Sequence, residues 1–205
     1  MDAVLTFREH DHSYWYEGRR LPGVTEVLEP LQSFAGIPPN VLEAKARLGR
    51  VVHACTALHD TGDLDESSVA ESAVPYLEAW RSFRRFMPDL EFTLIEKPLA
   101  SLHFGFAGTP DRLGLQGDQP WVLDIKCTAV IAPVVSVQLC AYGKLADECH
   151  FNNDPRAKKP TRYAAIQLKP NGKYVFDERA DAHVHWTLFR SLINVANWKA
   201  EHHVN

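Results

Sequence analysis

The stretch Trp121-Val122-Leu123-Asp124-Ile125-Lys126-Cys127 constrains the fold more than any other part of the chain. A compact run of aliphatic and aromatic residues reads as a strand, and apolar flanks on both sides of Asp124 call for a central, buried one. Side chains alternate along a strand, so Asp124 and Lys126 share one face while Leu123 and Ile125 share the other. A buried carboxylate needs a partner. Taken alone, the triplet Asp124-x-Lys126 also fits a solvent-facing salt bridge on a hairpin.

The residues before this strand sharpen the reading. Gln116-Gly117-Asp118-Gln119-Pro120 is a turn signal. With Gly117 and Asp118 at its centre, Asp111 of Gly108-Thr109-Pro110-Asp111 falls opposite Asp124. Opposed residues have Cβ atoms about 5 Å apart, and like charges there destabilise. A divalent cation bound by both carboxylates removes that penalty, and oxygen ligands suit Mg²⁺ or Mn²⁺. Lys126 would reach the same space, where an ammonium can orient an attacking water and offset charge on a phosphoryl transition state.

At 205 residues the chain is long enough for one domain with a sizeable core. A hairpin over 12–23 and a short helix capped by Thr25 occupy residues 1–40. A helix over 41–58, a polar loop over 60–72 and a helix over 74–86 follow. Extended segments cover 92–99, 102–115 and 121–127, and a helix covers 134–146. This core of residues 41–146 precedes a polar loop over 147–160. A hairpin over 162–168 and 173–176 and a helix over 180–201 complete residues 161–205. Helices flanking a short run of strands give a single α/β domain, residues 1–205, with a mixed central sheet.

Composition excludes several classes. With 45% hydrophobic and 23% charged residues the chain is globular rather than disordered or coiled-coil. No apolar run approaches the ~18 residues of a membrane span. The first ten residues lack a basic segment followed by an apolar one, so a cytoplasmic location is expected. A formal net charge of −4 implies no global attraction to DNA, although a local basic patch remains compatible. Cysteines 55, 127, 140 and 149 are scattered without a C-x-x-C pair and read as reduced thiols.

Two helices add candidates. His53 shares a helical face with Gly49 and Ala57, whose small side chains leave the imidazole room to project; a lone helical His also fits a packed or surface residue. Gln138 and Tyr142 are spaced i, i+4 after the Asp124 strand. They can hydrogen-bond phosphates or stack on a nucleotide, or simply face water.

Together, His53 in Gly49-Arg50-Val51-Val52-His53, Gly108-x-x-Asp111, Asp124-x-Lys126 and Gln138-x-x-x-Tyr142 resemble, in type and order, the RecB-type exonuclease branch of the PD-(D/E)XK nucleases. Leu21-Pro22-Gly23-Val24-Thr25-Glu26-Val27-Leu28 is similar to an L-P-S-V-T-x-I-L segment of phage and mitochondrial members, with Gly23 in place of the usual Ser. The resemblance implies a restriction-endonuclease-like fold and a Mg²⁺- or Mn²⁺-dependent DNA exonuclease of recombination or repair. His53, Asp111, Asp124 and the Ile125 carbonyl would ligate the metal. Asp111, Asp124 and Lys126 would be catalytic, with Lys126 acting on the attacking water. Gln138, Tyr142 and Arg50 would contact DNA, and Glu96 would support the ligands from outside. Arg84, Arg85, Lys158 and Lys159 are further candidate phosphate contacts. The partners implied are DNA with a free end and a single-strand annealing protein. The cysteine triplet that follows the motifs in iron–sulfur relatives is missing, so no cluster is expected. A structure-specific endonuclease and a catalytically inert DNA-binding module are the alternatives on the same scaffold.

Overall fold

Three short strands, β1 (Leu5–Arg8), β2 (Ser13–Tyr16) and β3 (Arg19–Leu21), open the chain as an antiparallel sheet. The structure, a computed structural model, describes residues 5–33 and 36–202; the expected 1–40 segment therefore extends beyond the described residues at 1–4 and 34–35. The expected hairpin is β2–β3, and β1 adds a strand that the alternation of Leu5 and Phe7 was too brief to announce. Helix α1 (Val24–Val27) follows directly. Its N-cap is Gly23, which corrects the assignment of that role to Thr25. The Glu26 carboxylate reaches back to accept from the Gly23 N–H at 3.3 Å, the return half of a capping box.

Helix α2 (Pro39–Thr61) starts with proline in its first turn, where the missing N–H costs nothing. It ends on Gly62 at φ +79°, with the Asp63 N–H bonded to the Leu58 carbonyl at 2.9 Å. Helix α3 (Val74–Phe86) matches its expected bounds. Strands β4 (Leu90–Ile95), β5 (Leu99–Ser101), β6 (Phe106–Gly108), β7 (Arg112–Gln116) and β8 (Gln119–Lys126) come next. The expected extended run over 102–115 is thus broken twice. Gly105, at φ +71°, turns the β5–β6 hairpin, and the Thr109-Pro110-Asp111 segment interrupts the chain before β7. Helix α4 (Val134–Cys149), β9 (Arg162–Leu168), β10 (Tyr174–Glu178) and α5 (Trp186–His202) complete the fold.

The main sheet runs β10-β9-β8-β7-β4 and is mixed: β8 and β9 are parallel, the other neighbours antiparallel. The β7–β8 ladder pairs Gln116 with Gln119 through Arg112 with Leu123, the register expected from a turn centred on Gly117 and Asp118. Alternation along β8 divides the interior. Trp121, Leu123 and Ile125 pack with Val52, Tyr76, Trp80 and Phe83 of α2 and α3. Val122 packs on the other face with Leu139, Tyr142 and Leu145 of α4 and with Phe189 of α5. This is a mixed α/β domain in which the sheet is covered on both sides. Gly143 lets α4 sit close, since a Cβ there would run into the Tyr163 ring. No helix among the described residues is long and apolar enough to cross a membrane.

Candidate metal centre

The C-terminal end of β8 is where side chains from both layers meet. From α2, directly after Val52, the first buried residue of the helix, His53 points its Nε2 at the Ile125 carbonyl, 3.1 Å away. Its Nδ1 lies 3.2 Å from Glu96 Oε1 and 3.4 Å from Asp111 Oδ1. Both ring nitrogens face acceptors only, so the ring is an imidazolium here. Burial alone would favour its neutral form, but Asp111 and Glu96 outweigh that and hold its pKa well above 6.5.

Asp111 is almost fully buried. Its Oδ2 accepts from the Ile125 N–H at 2.5 Å. Burial pushes its pKa up, yet His53, Lys126 and that N–H together bring it below the usual range. The ladder ends at the Arg112–Leu123 pair, so Asp111 lies just past it and turns its carboxylate along β8 rather than squarely across to Asp124.

Asp124 has a different partner. The Lys126 ammonium sits over its carboxylate, 2.8 Å from Oδ1 and 2.7 Å from Oδ2. Only the Oδ1 contact has hydrogen-bond geometry, which leaves Oδ2 buried without a hydrogen bond. Burial, reinforced by Asp111 and opposed by Lys126, pushes the Asp124 pKa up to about 6. Lys126 also donates to Gln138 Oε1 at 3.1 Å, and Gln138 Nε2 donates to the Tyr142 hydroxyl at 3.3 Å. Gln138 and Tyr142 therefore hold the lysine, and Tyr142, fully packed in the α4 core, has little surface to offer a nucleotide. Gly108 permits this arrangement: a Cβ there would stand 2.8 Å from both the Tyr142 ring and Val24.

Among the described residues, the ligand atoms of His53, Glu96 and Asp111 lie within 4.8 Å of one another, a set that could hold a metal ion. Glu96, expected only to support the ligands, thus enters the cluster itself. Its backbone is left-handed, φ +47°, and its N–H donates to the Asp111 carbonyl at 3.1 Å. Its carboxylate is held by Arg112, which sequence reasoning missed. Its guanidinium, with no exposed surface, donates to Glu96 Oε1 at 3.2 Å, the Asp111 carbonyl at 2.7 Å, Asp60 Oδ2 at 2.8 Å and Thr56 Oγ1 at 3.1 Å. One side chain therefore ties α2 to the ends of β4 and β7. Its place immediately after Asp111 in an otherwise apolar strand was the available signal.

The remaining candidates lie elsewhere. Arg50 is exposed on α2, three positions before His53. Arg84 is engaged by the Leu90 carbonyl and the Phe92 ring, and Lys159 by Asp118, so local structure already accounts for both. Arg85 bonds Ser82, and Lys158 donates its backbone N–H to Asp118. A cleft of about 950 Å³ opens at the far end of β8, bordered by Gln119, Lys144, Asp147 and Arg162, away from these carboxylates. A scan against known protein-family models and a search of curated proteins return no match, so the family resemblance rests on the motif residues alone.

Proposed function

We propose that this chain is a divalent-metal-dependent nuclease that cuts DNA from an end, on a restriction-endonuclease-like scaffold. The observation that supports it most is the convergence, at one strand end, of His53, Glu96, Asp111 and the Ile125 carbonyl beside a carboxylate–lysine pair. The donor set is nitrogen and hard oxygen, which suits Mg²⁺ or Mn²⁺ better than a thiophilic metal. Asp124 Oδ2, buried without a hydrogen bond and ion-paired with Lys126, is a further oxygen that could be offered to the ion. His53, Glu96, Asp111, Asp124 and the Ile125 carbonyl are the groups that would hold the ion. A cation there polarises a phosphoryl oxygen and lowers the pKa of an attacking water.

The chain's own residues do the rest. Lys126 is fixed between Asp124 and Gln138, so its charge is already oriented and is available where negative charge grows on the phosphorus oxygens. Tyr142 backs Gln138, and Thr109, bonded to the Tyr14 hydroxyl at 2.9 Å, anchors the segment leading to Asp111. Cleavage from an end rather than internally follows from the family resemblance.

The test is Mn²⁺-dependent cleavage of an end-labelled linear oligonucleotide beside a circular single strand, with wild type and Asp111→Asn. Outer partners of metal ligands are worth about 10–100-fold, so loss of Asp111 should cost at least about 100-fold while the protein stays folded. The circle should stay whole. Absence of metal-dependent cleavage, or near-normal cleavage by Asp111→Asn, overturns the reading.

A further inference from the structure

The first half of α2 is largely solvent-exposed. No residue from Pro39 to Val51 is buried, although Leu48 and Val51 already pack partly against the core, and Val52 is the first buried one. At 1.5 Å per residue this makes an exposed arm of roughly 18 Å. It carries Lys45, Arg47 and Arg50 against a single acidic residue, Glu43, in a chain whose formal net charge is −4. Some surface cations elsewhere are paired, Arg20 with Glu26, Arg156 with Glu91 and Asp154, and Arg162 with Glu178, while others such as Lys97, Lys169 and Arg190 are not, among the described residues. On the arm, none of the three has an ion-pair or hydrogen-bond partner among the described residues. Glu43 and Arg47 have the i, i+4 spacing that would let them pair, and do not.

The arm is continuous with the candidate metal centre. At about 100° per residue, Ala46, Gly49 and His53 fall in one row along the helix. Lys45 stands on one flank of that row and Arg50 on the other, with Arg47 further round on the Arg50 side. Neither backbone nor packing demands glycine at position 49, where a Cβ would meet nothing within 4 Å. The row is therefore low and open, with charged rims.

We propose that this arm is the track along which the nucleic-acid strand runs at the metal centre, its phosphates met by Lys45, Arg47 and Arg50. The inference rests on the nuclease reading and adds the substrate's path to it. Charge selects the occupant. A second copy of the chain, or an apolar partner seated on Val41 and Leu42, would have to desolvate three cations against which the arm sets only Glu43. A polyanion supplies it.

The experiment measures the affinity of a fluorescent single-stranded oligonucleotide in EDTA, between about 50 and 200 mM salt, for wild type and the Lys45→Gln/Arg47→Gln variant. On a single strand each neutralised phosphate adds about 0.7 to the slope of log K against log salt. The double variant should lose about 1.4 of that slope with its melting temperature unchanged. A merely structural role would move the melting temperature and not the slope. An unchanged slope, with wild type still cleaving DNA, overturns the track and spares the nuclease reading. A wild type that neither binds nor cleaves overturns both. A shift from dimer to monomer with an unchanged slope assigns the arm to a second copy and overturns the proposal.

Discussion

Asp60→Ala removes the main counter-charge of a guanidinium that has no access to water. Arg112 is 0% exposed and the Asp60 side chain 1%. Taking away one partner of a buried pair costs about 3–5 kcal/mol, because the other charge stays behind. Glu96 still neutralises Arg112 in part, at 3.2 Å, which places the charge term in the lower half of that range. Asp60 Oδ1 also accepts from Trp80 Nε1 at 3.0 Å, and orphaning that donor adds about 1 kcal/mol. The expected loss is about 4 kcal/mol, which for a chain of this length lowers the melting temperature by about 8–16 °C. Scanning calorimetry measures it directly. A cycle with Arg112→Met, which fills similar space without charge, isolates the pair: the double variant should be less destabilised than the sum of the singles by about 2 kcal/mol or more. A loss under about 1 kcal/mol for Asp60→Ala, or additivity within about 0.5 kcal/mol, would refute the argument.

Two further outcomes follow from the charges at the end of β8. His53 must shed a proton to bind metal, and its pKa is held well above 6.5, so Mn²⁺ affinity should rise about tenfold per pH unit until the pH passes that raised pKa, and then level off. Below pH 6, where Asp124 also carries a proton, the rise should be steeper; calorimetry in buffers of different ionisation enthalpy counts the protons, and a pH-independent affinity refutes it. Without added metal the sign reverses for stability: the raised His53 pKa stabilises the fold fully below about 6.5, and that contribution fades as pH climbs through the raised value. Lys126→Ala should leave Mn²⁺ binding in place but slow single-turnover cleavage about 10²–10³-fold, and a rate within about threefold of wild type would make the lysine structural.

What the sequence disclosed was local. The alternation of Leu123 and Ile125 against Asp124 and Lys126 is a property of one strand, and the β7–β8 register is a property of one turn, so both could be read from neighbours. Helix α3 matched its expected bounds because its apolar stripe is strong. The extended run before β7 was misread as continuous because Gly105 and Pro110 act through backbone geometry that hydrophobic periodicity does not register. The one local signal for Arg112, its place beside Asp111 in an apolar strand, carries no information about its acceptors. Its acceptors on Thr56 and Asp60 lie 56 and 52 positions away, and burial of that kind exists only once α2 has docked. Glu96 is the same case, since its carboxylate is held by Arg112 and its N–H by the Asp111 carbonyl.

The position of the cluster follows from the architecture. Within β8 the two faces are sealed from one another, one by α2 and α3, the other by α4 and α5. Only where the strand ends can an imidazole from the α2 side reach Asp111 while an amide from the α4 side holds Lys126 against Asp124. Their positive charges are divided accordingly. His53 neutralises Asp111 and Glu96 with a proton that titrates, and Lys126 neutralises Asp124 with an ammonium fixed by Gln138. Each carboxylate therefore has a cationic side chain beside it. On the proposed reading a divalent ion entering the cluster would displace the His53 proton, while Lys126, secured from the opposite layer, would keep its place. That asymmetry is why metal affinity should follow pH through His53, whereas removing Lys126 should spare the metal and slow the chemistry.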